Sequence, residues 1–189
     1  MIRLLMVDDH PALRAGLNAV LKAEPGFVPV EAVEGEHELW PALHRTRPDV
    51  VLLDYHLEGR DGLALCRQVK RLTLPPAVLV YSAYADTSLS VAAALAGADG
   101  LINKGIPARE LFDAIRTVAA GRRLLPQPSA ELMEAVAARV DPLDLPIIRL
   151  LLEGEDTRAV GEALQLEPDD LSARIDALIA RLKVEVAGR

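Results

Sequence analysis

The first two thirds of the chain alternate short apolar runs with longer amphipathic stretches. The apolar runs are rich in Val, Leu and Ile, and they cover residues 2–7, 27–33, 50–53, 77–80 and 101–102. Helical patterns fill the intervals near residues 11–24, 36–46, 61–72, 87–95 and 107–120. Continuous apolar strands separated by helices of this length are typical of a parallel sheet that helices cover on both faces. The pattern therefore predicts an α/β domain with five strands and five helices.

The pattern changes after residue 121. Gly121 ends a helix, while Pro126 and Pro128 prevent another from starting, so residues 122–128 are predicted to form a linker. Only helical patterns follow, near residues 129–139, 142–153, 157–164 and 168–184. We therefore expect an α/β domain over residues 1–121 and a small all-α domain over residues 129–189.

Composition excludes several classes of protein. Of the 189 residues 51% are apolar, which is enough for a packed core and excludes a disordered chain. No apolar run reaches the roughly 18 residues that a membrane span requires, and the start of the chain has no signal-peptide pattern. The single cysteine, Cys66, excludes an internal disulfide and favours a core position in a reducing compartment. We expect a cytoplasmic protein with no membrane partner.

Five polar residues follow strands of the predicted sheet. Asp8 and Asp9 follow the first strand, Asp54 the third, Ser82 the fourth and Lys104 the fifth. They should converge, because open parallel sheets bind ligands outside the carboxyl ends of their strands. Three carboxylates alone would repel one another, and a bound Mg²⁺, which prefers oxygen ligands, removes that conflict. A lysine and a hydroxyl beside the metal could hold a phosphoryl group, for which the central acid could be the nucleophile.

This arrangement resembles the receiver domain of bacterial two-component response regulators. The resemblance implies a doubly wound, flavodoxin-like fold in which Asp54 is the phospho-acceptor. It also implies that Asp8 and Asp9 bind Mg²⁺ together with Asp54, and that the backbone carbonyl of His56 completes the metal shell. Ser82 is then the hydroxyl that follows the phosphoryl group, and Lys104 is the cation that contacts it.

Two departures from the receiver pattern concern switching and lifetime. The family's aromatic residue on the fifth strand, which moves together with the hydroxyl of Ser82, is replaced here by Leu101. Leucine can repack at this switch position, but its movement is smaller. His56 and Tyr84 occupy positions that govern water access to the phosphorylated acid, so we expect slow self-dephosphorylation. The alternative is that both are ordinary surface side chains with no such role.

The resemblance also implies partners. A cognate histidine kinase or a small phosphodonor would phosphorylate the receiver, and the protein would act as a homodimer. The sequence contains no Gly-rich phosphate loop, zinc-ligand spacing or Ser/His/Asp set. We therefore expect no enzymatic activity beyond self-phosphorylation and self-dephosphorylation.

The second domain resembles the LuxR-type helix-turn-helix effector. Residues 140–154 are similar to its opening helix, residues 156–164 to its second helix, and residues 166–171 to the turn into the recognition helix. The apolar stripe of a packed helix face follows at helical spacing, in Leu171, Ile175, Leu178 and Leu182. The sequence alone leaves open whether this stripe is buried internally or against a second subunit.

The recognition helix is atypically acidic. Residues 126–189 contain 7 basic and 13 acidic side chains, whereas DNA affinity depends mainly on the neutralisation of phosphates. Asp169 and Asp170 also favour the helix macrodipole, so helix stability alone could account for them. Only Arg158, Ser172 and Arg174 remain as candidate DNA contacts.

Two hypotheses for the output domain follow from these observations. The charge balance favours a degenerate module that acts by protein interaction or dimerisation. The uninterrupted match to the helix-turn-helix scaffold favours the alternative, a phosphorylation-dependent DNA-binding transcriptional regulator of the LuxR/NarL type.

Overall fold

The computed structural model describes residues 1–58, 60–83, 85 and 87–183. Its sheet has five parallel strands: β1 (Ile2–Val7), β2 (Phe27–Val33), β3 (Val50–Asp54), β6 (Ala77–Ser82) and β7 (Gly100–Asn103). Their spatial order is β2-β1-β3-β6-β7, which is the doubly wound, flavodoxin-like order. The predicted fold class is therefore confirmed. All five residues of the central strand β3 are buried, as its continuous apolar run requires.

Two short strands were not predicted. Strand β4 (His56–Leu57) pairs antiparallel with β5 (Arg60–Asp61) directly after β3. Strands of two residues are too short to produce an alternating pattern, so they cannot be predicted from periodicity. They matter because they hold the loop that follows Asp54.

Five helices cover the sheet: α1 (Pro11–Ala23), α2 (Glu36–Thr46), α3 (Gly62–Lys70), α4 (Thr87–Ala96) and α5 (Ala108–Ala119). Helix α5 is amphipathic, with Leu111, Ile115 and Val118 buried and Arg109 and Glu110 exposed. Helix α4 differs, because every residue from Leu89 to Ala96 is buried. A helix that is apolar on all sides needs a neighbour on each side, so α4 cannot have a solvated outer face.

The second domain supplies that neighbour. It contains α6 (Ala130–Ala137), a 3₁₀ turn (Pro142–Asp144), α7 (Leu145–Glu153), α8 (Thr157–Leu164) and α9 (Pro168–Lys183). Helices α7 and α9 both pack on α4, and one apolar core runs from the sheet through α4 into the second domain. Leu171, Ile175 and Leu178 are buried in this core. The apolar stripe of α9 is therefore buried within the chain itself.

The predicted linker segment is hydrogen-bonded to both domains. Gly121 ends α5 with a positive φ of 74°, a conformation that favours glycine. Leu124 joins the edge of the sheet, since its carbonyl accepts the Leu101 N–H at 2.9 Å. The Arg123 guanidinium donates to the Leu151 carbonyl of α7 at 2.7 Å and to the Ala98 carbonyl at 3.3 Å.

Two smaller expectations concern Cys66 and membranes. The Cys66 side chain is fully buried, its thiol lies 3.6 Å from the Ala96 carbonyl, and burial raises the pKa of the thiol to about 12. Cys66 is therefore a core residue, as predicted. Within the part of the chain that the structure describes, no helix combines the length and apolar character needed to cross a bilayer.

Candidate functional site

The paired acids that follow β1 are held by the start of α1 and by the β4–β5 hairpin. Asp8 is 2% exposed, and its Oδ1 accepts the His10 backbone N–H at 2.8 Å. Asp9 is more open, and its Oδ2 accepts the Glu58 N–H at 2.7 Å. A turn at the end of a buried strand thus directs two carboxylates to the same edge of the sheet.

Lys104 joins the first and third strands at this edge. Its Nζ lies 2.6 Å from Asp54 Oδ2 and 2.7 Å from Asp8 Oδ2. Its backbone N–H donates to the Ser82 carbonyl at 2.9 Å, which fixes the residue beside the end of β6. Asp8, Asp54 and Lys104, which lie as far apart as 96 positions in the sequence, are therefore direct neighbours.

A glycine lets the backbone around Asp54 pack closely. The Gly62 N–H donates to the Tyr55 carbonyl at 2.8 Å. A Cβ atom on Gly62 would lie 2.1 Å from the Asp54 carbonyl oxygen, which is far inside van der Waals contact. Any side chain at position 62 would therefore displace the strand end that carries the Asp54 carboxylate.

Burial changes the protonation of this cluster. It raises the pKa of Asp54, because the charged carboxylate loses water, although the hydrogen bond and the charge of Lys104 act in the opposite direction. For Lys104, burial lowers the pKa, but its hydrogen bonds to Asp54 and Asp8 outweigh burial and leave the pKa raised. The ammonium therefore stays charged and compensates part of the negative charge.

The donor set suits a hard divalent cation. Ligand atoms of Asp8, Asp9, His10 and Asp54 all lie within 4.8 Å of one another. Asp9 Oδ1 is buried and makes no hydrogen bond among the described residues. Carboxylate oxygens are what Mg²⁺ prefers, and two of these carboxylates share only one lysine. The predicted metal ligands thus fit the cation, and the His56 carbonyl stays a prediction: that residue donates its N–H to Asp54 Oδ1 at 3.2 Å.

The two predicted switch residues lie on neighbouring strands. Ser82 is fully buried at the end of β6, opposite Asn103. Leu101 is 3% exposed on β7, opposite Val80, and it faces the core that contains α4. Tyr84, the other residue expected to control water access, lies outside the described residues.

Sequence reasoning assigned no role to His10, which the structure brings into the site. Its Nδ1 lies 2.7 Å from Asp9 Oδ1, 3.2 Å from Asp8 Oδ1 and 3.9 Å from Asp54 Oδ2. The signal was available, because an imidazole directly after two acids at a strand end is a candidate metal ligand in its own right.

The three candidate DNA contacts do not form one surface. Arg158 is exposed on α8 and pairs with Glu162 at 2.9 Å. Arg174 on α9 turns to Asp144 of the 3₁₀ turn, at 3.1 Å. Ser172 faces the first domain, two positions and therefore about 200° around the helix from Arg174.

Ser172 belongs to an interdomain group that we call the α3–α9 cluster: Arg67, Arg71, Ser172 and Asp176. Arg67 donates to Asp176 Oδ1 and to the Ser172 hydroxyl, both at 3.2 Å. Arg71 donates to Asp176 Oδ2 at 2.8 Å and also to Ser172. Burial lowers the pKa of Arg67, against the raising effect of its bond to Asp176. The sequence carries no local sign of this cluster, whose partners lie more than 100 positions apart.

Comparisons with known proteins agree with this geometry. The family model for the response regulator receiver domain matches residues 4–116. The DNA-binding transcriptional activator DevR/DosR of Mycobacterium tuberculosis is 30% identical over 98% of this chain and 90% of its own length. The crystal structure of a LuxR-family two-component response regulator from Aurantimonas sp. is 28% identical, with a TM-score of 0.62, and covers 73% of this chain and 96% of that one.

A full-length structure supports the fold of both domains together. RcsB from Salmonella enterica serovar Typhimurium, solved bound to promoter rprA, has a TM-score of 0.59 and covers 96% of this chain and 92% of its own. At 18% identity this likeness concerns the fold alone. The receiver match and the DevR/DosR match go further, because they extend to the sequence. This chain belongs to the two-component response regulators of the LuxR/NarL family, with a receiver domain followed by a helix-turn-helix domain.

Proposed function

We propose that this protein is a phosphorylation-controlled transcription regulator, which accepts a phosphoryl group on Asp54 and binds DNA through its helix-turn-helix domain. One observation carries the proposal: Asp8, Asp54 and Lys104 are within hydrogen-bond distance at the edge of the sheet. This site is joined to an effector in a chain similar over 98% of its length to a protein named as a DNA-binding transcriptional activator.

The chemistry at Asp54 is the transfer of a phosphoryl group from a donor to the Asp54 carboxylate. An oxygen of the Asp54 carboxylate bonds to phosphorus while the bond between phosphorus and the donor breaks, and the donor leaves with that electron pair. The donor is the phosphohistidine of a cognate histidine kinase or a small phosphodonor. Asp8, Asp9, Asp54 and the His56 carbonyl would hold Mg²⁺, which when bound offsets the negative charge of the phosphoryl oxygens.

The side chains around Asp54 each have a task in that transfer. Lys104 is already charged and within 2.6 Å of Asp54, so it can hold the transferred group by charge and hydrogen bond. Ser82, buried at the neighbouring strand end, offers a hydroxyl to the same group. Neither residue acts on a second substrate, so we infer no enzymatic activity beyond self-phosphorylation and self-dephosphorylation.

The output depends on the recognition helix α9. In the present arrangement α9 packs on α4, and its Ser172 and Asp176 are bonded to Arg67 and Arg71 of the receiver. A recognition helix must enter the major groove with such side chains free, so this arrangement is closed to DNA.

Phosphorylation can act on this closed form through α4. Ser82 ends β6, the strand that precedes α4 in the chain, and Leu101 packs in the same core as α4, so a movement of either residue alters the surface on which α7 and α9 rest. A bias of a few kcal/mol is enough to shift such an equilibrium. We infer that the open form is a homodimer; in the closed form the outer face of α4 is already covered, so a dimer would need another surface.

A second candidate is an output domain that binds protein instead of DNA. The surplus of acidic side chains in residues 126–189 favours it. Yet Asp169 and Asp170 lie in the first turn of α9, where they favour the helix macrodipole, so helix stability accounts for these two acids. The chain is also similar over 98% of its length to a protein named as a DNA-binding transcriptional activator, and the DNA-binding candidate is therefore preferred.

The test uses the full-length protein and DNA fragments selected from a random pool, so that no operator has to be guessed. Wild type and Asp54→Asn are compared with and without a small phosphodonor and Mg²⁺. Phosphate incorporation is followed by a phosphate-affinity gel, and DNA binding by anisotropy over a salt series. We expect Mg²⁺-dependent phosphorylation that Asp54→Asn abolishes, together with tighter DNA binding by phosphorylated wild type.

Two outcomes would contradict parts of this proposal. Undiminished phosphorylation of Asp54→Asn would remove Asp54 as the acceptor. Normal phosphorylation with no DNA selected at low salt, and no retention on heparin, would instead leave a working receiver that drives a protein-binding output.

A further inference from the structure

His10 contacts the acidic site through one ring nitrogen. It is the residue before α1, and its side chain is 66% exposed, yet Nδ1 points inward to three carboxylates. The distances are 2.7 Å to Asp9 Oδ1, 3.2 Å to Asp8 Oδ1 and 3.9 Å to Asp54 Oδ2. As the N-cap residue of α1, His10 makes no side-chain capping bond, and its ring is directed to the acids instead.

The distances from Nδ1 to the carboxylate oxygens fit atoms that bind the same ion. Neighbouring ligands of an octahedral ion with bonds of 2.0–2.1 Å lie about 3 Å apart. Nδ1 makes a contact of this length with both acids that follow β1, while Asp54 is slightly farther away. The ring thus lies beside the carboxylate donors and not behind them.

The bonding of Asp9 supports the same conclusion. Asp9 Oδ1 is only 2.7 Å from Nδ1, but it makes no hydrogen bond to it or to any other described group. A buried carboxylate oxygen without a hydrogen bond is costly unless something else binds it. Without an ion, Nδ1 donates to Asp8 Oδ1 at 3.2 Å, because an ionised carboxylate oxygen only accepts. An ion bound between these acids would replace that proton on Nδ1 and would also meet Asp9 Oδ1.

We propose that His10 is a nitrogen ligand to the divalent ion of the receiver site, and that it gives the site affinity for ions that prefer imidazole, such as Co²⁺, Ni²⁺ and Zn²⁺, beyond what its carboxylates supply. The proposal rests on the acidic site being the metal site of the proposed function. Carboxylates alone suit Mg²⁺, whereas imidazole favours these transition ions. His10 therefore sets the preference of the site for these ions over Mg²⁺.

The experiment measures binding of single metal ions to the full-length protein, at a pH above the ordinary titration range of histidine. Wild type, His10→Ala and His10→Gln are titrated with Co²⁺ and with Mg²⁺ by calorimetry, and the visible absorption of bound Co²⁺ reports a nitrogen ligand. His44→Ala is the matched control, since His44 is exposed on α2 and distant in sequence from the acids. The substitutions at His10 should fold normally because the side chain is largely exposed.

We expect both His10 variants to bind Co²⁺ at least about tenfold more weakly, with an altered absorption spectrum, because even an outer-shell partner is worth about that much. The Co²⁺ affinity of the His10 variants should fall by a larger factor than their Mg²⁺ affinity, and His44→Ala should equal wild type for both ions. Unchanged Co²⁺ affinity and spectrum in His10→Ala would overturn the inference while the Mg²⁺-dependent receiver stands. If wild type itself did not bind Mg²⁺, the proposed function would be contradicted as well.

Discussion

The site at the sheet edge and the α3–α9 cluster are built alike, with opposite charges. At the sheet edge one cation, Lys104, lies between two carboxylates, Asp8 and Asp54. Between the domains one carboxylate, Asp176, is shared by two guanidinium groups. Each cluster is therefore under-neutralised, one with surplus negative charge and the other with surplus positive charge.

The two clusters differ in burial, and this decides what each can do. The side chains of Asp8 and Asp54 are 3% exposed, whereas those of Arg71 and Asp176 are 46% exposed. Charges interact strongly where water is excluded and weakly where water and salt screen them. The buried cluster is thus a permanent site that favours a divalent cation, whereas the more exposed α3–α9 cluster can open.

The largest expected effect is that of Lys104→Met. Two buried carboxylates would lose their shared cation, and breaking a buried ion pair in this way costs about 3 kcal/mol of unfolding free energy without divalent ions. Urea denaturation in a chelator, followed through Trp40 fluorescence, measures the loss. Lys22→Met, an exposed lysine of α1, should change little.

The pH dependence of this loss has a definite sign. The pKa of Lys104 is raised in the folded chain, so its stabilisation is complete below the ordinary lysine pKa and disappears as pH rises through the raised value. The difference between wild type and Lys104→Met should therefore be constant near neutral pH and vanish at strongly alkaline pH. A difference that persisted there would mean that packing, and not charge, stabilises the site.

A smaller effect is expected for Arg67→Met in the α3–α9 cluster. Arg67 is 10% exposed and makes two hydrogen bonds to α9, one of them to a carboxylate, so its loss should cost about 1–2 kcal/mol. The variant should also be cleaved faster by protease in the segment between the domains. A double-mutant cycle with Asp176→Asn isolates the pair. Strictly additive losses would show that the pair does not hold the domains together.

The sheet-edge cluster could be predicted from the sequence and the α3–α9 cluster could not, for a physical reason. Strand ends of a parallel sheet meet at one edge, so Asp54 and Lys104 could be brought together from the strand pattern alone. Arg67 and Asp176 meet only because two domains dock, and docking leaves no period in the sequence. The one available clue was α4, where an apolar run too continuous for a solvated helix indicated a covered outer face.

The same distinction applies to one acid of the output domain, Asp176. Net charge indicated a domain that repels DNA, because composition counts every acid as exposed to an outside partner. Asp176 is instead bonded to Arg67 and Arg71 of its own receiver. His10 is a different case: its place directly after two acids was visible in the sequence, although no role was assigned to it, and the structure brings its ring to within 2.7 Å of Asp9.

The smallest effect is expected for Arg71→Ala, which distinguishes an arginine that restrains α9 from an arginine that contacts DNA. The pair with Asp176 is half exposed, so its loss should cost less than about 1 kcal/mol and should fade as salt rises. If the α3–α9 cluster holds α9 away from DNA, unphosphorylated Arg71→Ala should bind DNA about two- to fivefold more tightly, although it has lost a positive charge. Arg158→Ala removes an exposed arginine whose ion pair is with Glu162 of its own helix. It should bind more weakly, with a salt slope smaller by about one. Opposite shifts for two arginine deletions identify Arg71 as part of the closed form, whereas weaker binding in both would mean that the α3–α9 cluster does not restrain the recognition helix.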